Sequence, residues 1–235
     1  MIKLENIEVM GFEPALRGMR LPHNSGDKSD SGWKLLDEVE RYIFEGEYTY
    51  NIGENDLKLA RQLSKAGTDH SKYLRMITVY MDITAPLYLW KQMDQYKIGV
   101  TTNSTSTMHC IHNKEFTLDD FSCEHLSYDS LKIKIVDWVG SVDHALEVPA
   151  YLFDEVIGML NACRQKYLET KDKKYWYSMI QLLPSSYNQK RTVMLNYQVL
   201  KNIYHARKSH KLPEWVCFCE EIKNLPYFEE LCIDM

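Results

Sequence analysis

The residues in this chain best suited to hold a ligand are uncharged. From Val100 to Met108 the sequence is almost wholly Thr, Ser and Asn, among them Asn103, Ser104 and Ser106, with no charge in the run. Hydroxyls and amides at that density can surround an anion or a base edge with donors. Cations stand elsewhere. Asn196 and Arg207 are eleven residues apart, which at about 100° per residue returns them to nearly one helical face. Arg17 and Arg20, three apart, precede a turn-rich run from Pro22 to Ser31 that contains Lys28. Cations beside small donors suit a phosphate, although the same run also reads as a solvated connection. Metal chemistry is not expected. The cysteines at 110, 123, 163, 217, 219 and 232 form no CxxC pair, and the histidines form no HExxH pair. His109 and His112 are three apart but lack a carboxylate at matching spacing. The cysteines read as buried reduced thiols.

The elements around the polar run follow from periodicity. Ile77, Val79, Met81 and Ile83 alternate with Thr78, Tyr80 and Asp82, which predicts a strand with unlike faces. Pro86 suits a first helical turn, and Leu89, Trp90, Met93 and Tyr96 continue at helical spacing to a stop at Gly99. A first strand is expected from Ile2 to Met10. A helix is expected from Asn55, acting as its cap, to Ala66-Gly67. Phe116 to Ser122 reads as a capped turn, and Leu131 to Trp138 as a strand or the start of a helix. Pro149 to Leu168 carries an amphipathic stripe. Lys190 to His210, with Val193, Tyr197, Leu200 and Tyr204 in line, predicts one long helix. Leu212 to Leu231 is apolar helix interrupted by Pro213 and Pro226.

Composition narrows the classes. A chain of 235 residues with 45% hydrophobic and 26% charged residues is an ordinary globular protein, expected as a single domain over 1–235. A net charge of −5 argues against general nucleic-acid binding, so any phosphate must meet local cations. No apolar run reaches the roughly 18 to 20 residues of a membrane span, and MIKLENIEVMG lacks a signal-peptide core. A cytoplasmic protein with no membrane partner is expected.

Two segments resemble the flavin-dependent thymidylate synthases, the thymidylate synthase complementing protein family. In that family a Gln precedes an Arg-His-Arg triplet, and a Ser follows with an Asn before it and an Arg two positions after. Gln92, Asn103 and Ser106 match this layout. Gln95, Tyr96 and Lys97 stand at the triplet, and Met108 at the last Arg. The family's later segment opens on Leu-Pro and runs through two Asn residues to an Arg and a His. Leu183-Pro184, Asn196, Asn202, Arg207 and His210 match it without a gap, while an Arg used just before Leu-Pro falls near Ile180.

The resemblance implies an α/β (α+β) fold with a mainly antiparallel central sheet and flanking helices. It also implies a chemistry in which FAD takes hydride from NADPH and dUMP receives a methylene group from methylenetetrahydrofolate to become dTMP. Gln92, Gln95, Ser104, Ser106 and Arg207 would hold the nucleotide, with Ser106 at the catalytic position. Lys97, Asn103, Asn202 and His210 would lie along the flavin, and homotetramers would share their sites. Two other readings follow from the departures. A divergent relative could bind a nucleotide or flavin without this reaction, with Arg17, Arg20, Arg75 or Lys91 supplying missing charge; alternatively, the chain is a non-enzymatic interaction protein.

Overall fold

The computed structural model describes residues 2–36, 48–136, 140 and 142–233. These fall into two compact units. A middle unit holds Thr84–Met93 and Ser104–Arg191; a terminal unit holds Ile2–Ile83, Asp94–Asn103 and Thr192–Met235. The central sheet is antiparallel and four-stranded, in the order β1 (Lys3–Met10), β4 (Thr78–Pro86), β8 (Asn188–Asn196), β5 (Thr101–Ser104). The mixed helix and strand architecture expected from the sequence is what is found.

In the terminal unit the alternation in β4 has the expected effect. Ile77, Val79, Met81 and Ile83 are buried, while Tyr80 is exposed. Helices α1 (Phe12–Arg20), α7 (Tyr197–Arg207) and α8 (Pro213–Lys223) contribute Phe12, Leu16, Tyr197, Leu200, Ile203, Trp215 and Phe218 to the same core. Tyr197 is fully buried against Phe12 and Phe228, at centroid distances of 5.8 and 5.4 Å. Its hydroxyl donates to Pro226 O at 2.5 Å, so burying the ring leaves no orphaned polar group.

The long helix expected over Lys190 to His210 is a correction. The chain is strand to Asn196 and helix only from Tyr197. Val193 and Leu195 are buried with Thr192 exposed, a period of two that the helical spacing of Val193, Tyr197 and Leu200 concealed. Asn196 marks the change: its side chain accepts from Val199 N at 3.1 Å, capping α7. Tyr197 N donates to Ile77 O at 3.0 Å, which ties the junction to the foot of β4. Gly99, with φ +74°, packs against this cap, and a Cβ there would lie 2.6 Å from Asn196 Nδ2.

Helix α2 (Glu54–Lys65) starts near the expected place, but Asn55 is not its cap. Asp30 takes that role from a distance, accepting from Asn55 N at 2.9 Å and Asp56 N at 3.1 Å. Asp56, fully buried, accepts from Arg20 Nε at 2.5 Å, Ser31 Oγ at 2.6 Å and Ser29 Oγ at 2.7 Å. The Pro22 to Ser31 run is therefore a structural clasp, and Arg20 is not available to a phosphate. Burial pushes the Asp56 carboxyl up, but the bonds from Ser31, Ser29 and Arg20 and the guanidinium charge outweigh it and hold it below the usual range. Antiparallel β2 (Gly32–Leu35) and β3 (Tyr48–Asn51) follow the clasp and pair Gly32 with Asn51.

The middle unit is built on α5 (Pro149–Thr170) and α6 (Lys173–Leu182), around a core of Ile111, Phe116, Phe121, Ile157, Leu160 and Met179. The 116–122 turn is a 3-10 turn with a Thr117/Asp120 capping box. The undecided 131–138 segment is strand: β6 (Leu131–Val136) pairs with β7 (Val142–Glu147), and Asp137 and Trp138 lie outside the described residues. The helix expected from Pro86 is shorter than predicted, since Pro86 ends β4 and α3 spans Leu87–Met93. The polar run is not one loop. It holds β5 and a single helical turn, α4 (Thr107–Cys110).

Asp56→Asn is expected to lower the unfolding free energy by about 3 to 5 kcal/mol, because it leaves Arg20 buried without its counter-charge. The folded carboxyl titrates below the unfolded one, so its stabilisation is complete above the unfolded value and is lost as the pH falls through the folded value. Urea midpoints of wild type and D56N should differ by a constant interval between about pH 5 and pH 8 and converge below about pH 4. A gap unchanged to about pH 2 would exclude ionisation as its source. Gly99→Ala should cost about 1 to 3 kcal/mol in the same assay, from the left-handed φ and the collision with Asn196; an unchanged midpoint would show that the turn is not constrained.

Candidate functional site

In the terminal unit the structure joins the two segments of resemblance. Arg207, at the last turn of α7, donates from Nε to Tyr96 OH at 3.1 Å, across 111 residues of chain. Its guanidinium carbon lies 5.9 Å from the Tyr96 ring centre and 5.0 Å from that of Trp215. Trp215 is fully buried, and the two rings stand 6.2 Å apart at 67°. A cation held over two aromatic faces in partly desolvated surroundings gains about 1 to 2 kcal/mol. His210 closes the group, 6.5 Å from Trp215, and its Nδ1 accepts from Leu212 N at 3.1 Å. That bond puts the imidazole proton of the neutral ring on Nε2.

Asn202 is exposed on α7 and is oriented from behind. Ser71 Oγ donates to Gln198 Oε1 at 3.0 Å, and Gln198 Nε2 donates to Asn202 Oδ1 at 3.0 Å. Asn202 Nδ2 is thereby defined as the outward donor. Gln95, Lys97 and Asn103 are exposed on the segment that carries Tyr96 and Gly99. This set contains one lysine and several neutral donors, with Arg207 nearby in the same unit. Such groups fit an anionic diphosphate by their chemistry.

In the middle unit, Ser106 accepts from His109 N at 3.3 Å and caps α4, which leaves its hydroxyl proton as the donor it presents. Gln189 brackets it. Gln189 Nε2 donates to Thr105 O at 2.9 Å and to Thr107 Oγ1 at 3.3 Å, and its Oε1 accepts from Arg191 Nε at 3.0 Å. Arg191 lies 4.1 Å over the Trp90 ring, and Trp90 Nε1 donates to Gln189 O at 2.9 Å. Ser106 lines a cleft of about 250 Å³ together with Thr84, Asn188, Gln189, Lys190 and the Lys114–Asp120 ion pair. Tyr187 in its wall has its hydroxyl pushed up by burial and by Asp120, so it stays neutral. Gln92 is half-buried in this unit, and Ser104 is exposed.

The sequence did not single out Gln189, Arg191 or Trp215 as site neighbours. The first two lie two apart on a strand and share a face, a signal lost once 190–210 was read as helix. The expectation of buried thiols holds for Cys219 and Cys232, pushed up by burial to about 11 and about 12, whereas Cys110 and Cys217 are exposed. Among the described residues no three His, Cys, Asp or Glu side chains gather to hold a metal, and no helix is long and apolar enough to cross a membrane.

No protein-family model matches this chain, and no curated protein matches it in sequence. Solved structures do resemble it. A thymidylate synthase X from Helicobacter pylori, crystallised with FAD and dUMP, superposes with a TM-score of 0.64 over 100% of this chain and 98% of its own, at 13% identity. A UMP/dUMP methylase, PolB from Streptomyces cacaoi, bound with 5-Br dUMP, gives 0.57 over 98% of this chain and 91% of its own, also at 13% identity. The chain thus has the fold of a flavin-dependent thymidylate synthase over its whole length.

Proposed function

We propose that this chain is a flavin-dependent thymidylate synthase-like enzyme that binds FAD and dUMP and makes dTMP with methylenetetrahydrofolate and NADPH. The Arg207–Tyr96 hydrogen bond carries the reading, because it unites, within one unit, two stretches that resemble that family separately. Bound FAD would supply the hydride transfer. By the resemblance, Arg207 and Gln95 of the terminal unit would be nucleotide donors, and so, in the middle unit taken by itself, would Gln92, Ser104 and Ser106. The side chain of Ser106 accepts from His109 N, which leaves its hydroxyl proton as the donor it would offer at the catalytic position. Lys97, Asn103, Asn202 and His210 would hold the flavin, and the protein would work chiefly by orienting its ligands.

The chain would act in the cytoplasm as one catalytic domain in a homotetramer with shared sites. Exposed Leu131, Ile133, Leu146, Leu152 and Met159 in the middle unit are apolar surface that such an assembly would cover. A second reading, nucleotide binding without thymidylate synthesis, is favoured by one observation. Ile180, near where the family has an Arg, packs against the apolar core of the middle unit.

Purified protein should carry the visible absorbance of bound flavin and bind dUMP in calorimetry. Arg207→Ala should weaken dUMP about 10-fold, the loss of one charge-assisted contact. Binding of dUMP by a colourless protein that takes up no added FAD would favour the second reading. Absence of binding to both ligands would end the proposal.

A further inference from the structure

We infer that Tyr96 is a positioning residue for Arg207, fixing the guanidinium in the orientation from which it meets the nucleotide; the inference rests on the nucleotide reading above. Three features of the group support it. Nε of Arg207 is engaged by the Tyr96 hydroxyl at 3.1 Å, so the guanidinium is held about its own plane. The Tyr96 and Trp215 rings lie 5.9 and 5.0 Å from its central carbon and stand at 67° to one another, forming an angular slot for a planar cation. Finally, the two walls differ in origin. Trp215 is fully buried in α8, whereas Tyr96 belongs to the turn that ends at Gly99 and leans on the Asn196 cap. Trp215 is thus the fixed wall, and the conformation of the 94–103 segment sets the other.

An arginine held in this way loses less side-chain entropy on binding than one that must be ordered by the ligand. Tyr96 stands where the resembling family has His. It keeps a stacking ring, loses a titratable group, and here supplies the acceptor for Arg207.

The test is a double-mutant cycle read by calorimetry with dUMP, using the full chain. Tyr96→Phe keeps the ring and removes only the hydroxyl; it should weaken dUMP about 3- to 10-fold with an unchanged thermal midpoint. Added to Arg207→Ala it should cost nothing further, because Tyr96 acts through that guanidinium. Tyr96→His, which restores a ring with an acceptor, should bind within about twofold of wild type. The Arg207 Nε–H resonance should be protected from exchange in wild type and lose that protection in Y96F. Wild-type affinity in Y96F, or losses that multiply in the double variant, would overturn the inference and leave the nucleotide reading standing. A wild-type chain that gives no dUMP heat overturns both, and a protected Nε–H would then mark the pairing as structural only.

Discussion

The terminal unit depends on a change of backbone state at a single residue. At Asn196 the strand must end and the helix begin, and the amide side chain is committed on both sides: its oxygen caps Val199 N, and its nitrogen lies against Gly99. Tyr197 follows at once, its N–H bound to Ile77 and its ring in the core. A cap contributes only about 1 kcal/mol, but here it also fixes where α7 starts, and a helix of known start has a fixed end. Arg207 therefore arrives beside Tyr96 and Trp215 because Asn196 is where it is. Gly99 is needed because only a residue without Cβ can turn with positive φ this close to the cap.

A second constraint engages Ser29, Asp30 and Ser31 of a donor-rich stretch within the chain itself. Small hydroxyls beside Arg20 look like a phosphate loop in sequence. In the folded chain Asp56 collects Arg20, Ser29 and Ser31, while Asp30 satisfies the first N–H groups of α2. Donors that a buried carboxylate has taken are not available to a ligand, and removing them would leave that charge uncompensated. Arg17 is likewise a poor substitute cation, since it is exposed and lies 3.8 Å from Glu13.

Much of the architecture was legible because its signals are local. The alternation of β4 and the capping box at Thr117 each need only neighbours in sequence, and each is found, whereas the helix expected from Pro149 is found with Leu160 buried but Leu152 and Met159 exposed. Where the cause lies far along the chain, the sequence misleads. Asn55 looks like a cap, yet the carboxylate that caps α2 comes from residue 30. Val193 falls in line with Tyr197 and Leu200 by coincidence of spacing, and only the burial of Leu195 reveals the strand. The candidate site is affected in the same way. Arg207 was visible as a residue type at a helix end, but the hydroxyl and the indole that hold it are set by tertiary packing. Gln189, which brackets Ser106, could be recognised only after β8 was known to be a strand.

The departures from the resembling family do not have one cause. Ile180 lies on the face of α6 that packs toward Met179, Leu160 and Phe121, so a guanidinium there would exchange apolar contact for a desolvated charge. That position is committed to the core. Tyr96 gives Arg207 a ring and an acceptor. Gln95 and Met108 are different: both are exposed, and nothing in the packing forbids a cation at either. Trp176 donates to the backbone oxygen of Met108 and is indifferent to its side chain. The lost cation at Ile180 therefore follows from packing, and the residue at 96 is engaged by Arg207. Those at Gln95 and Met108 have no structural cause.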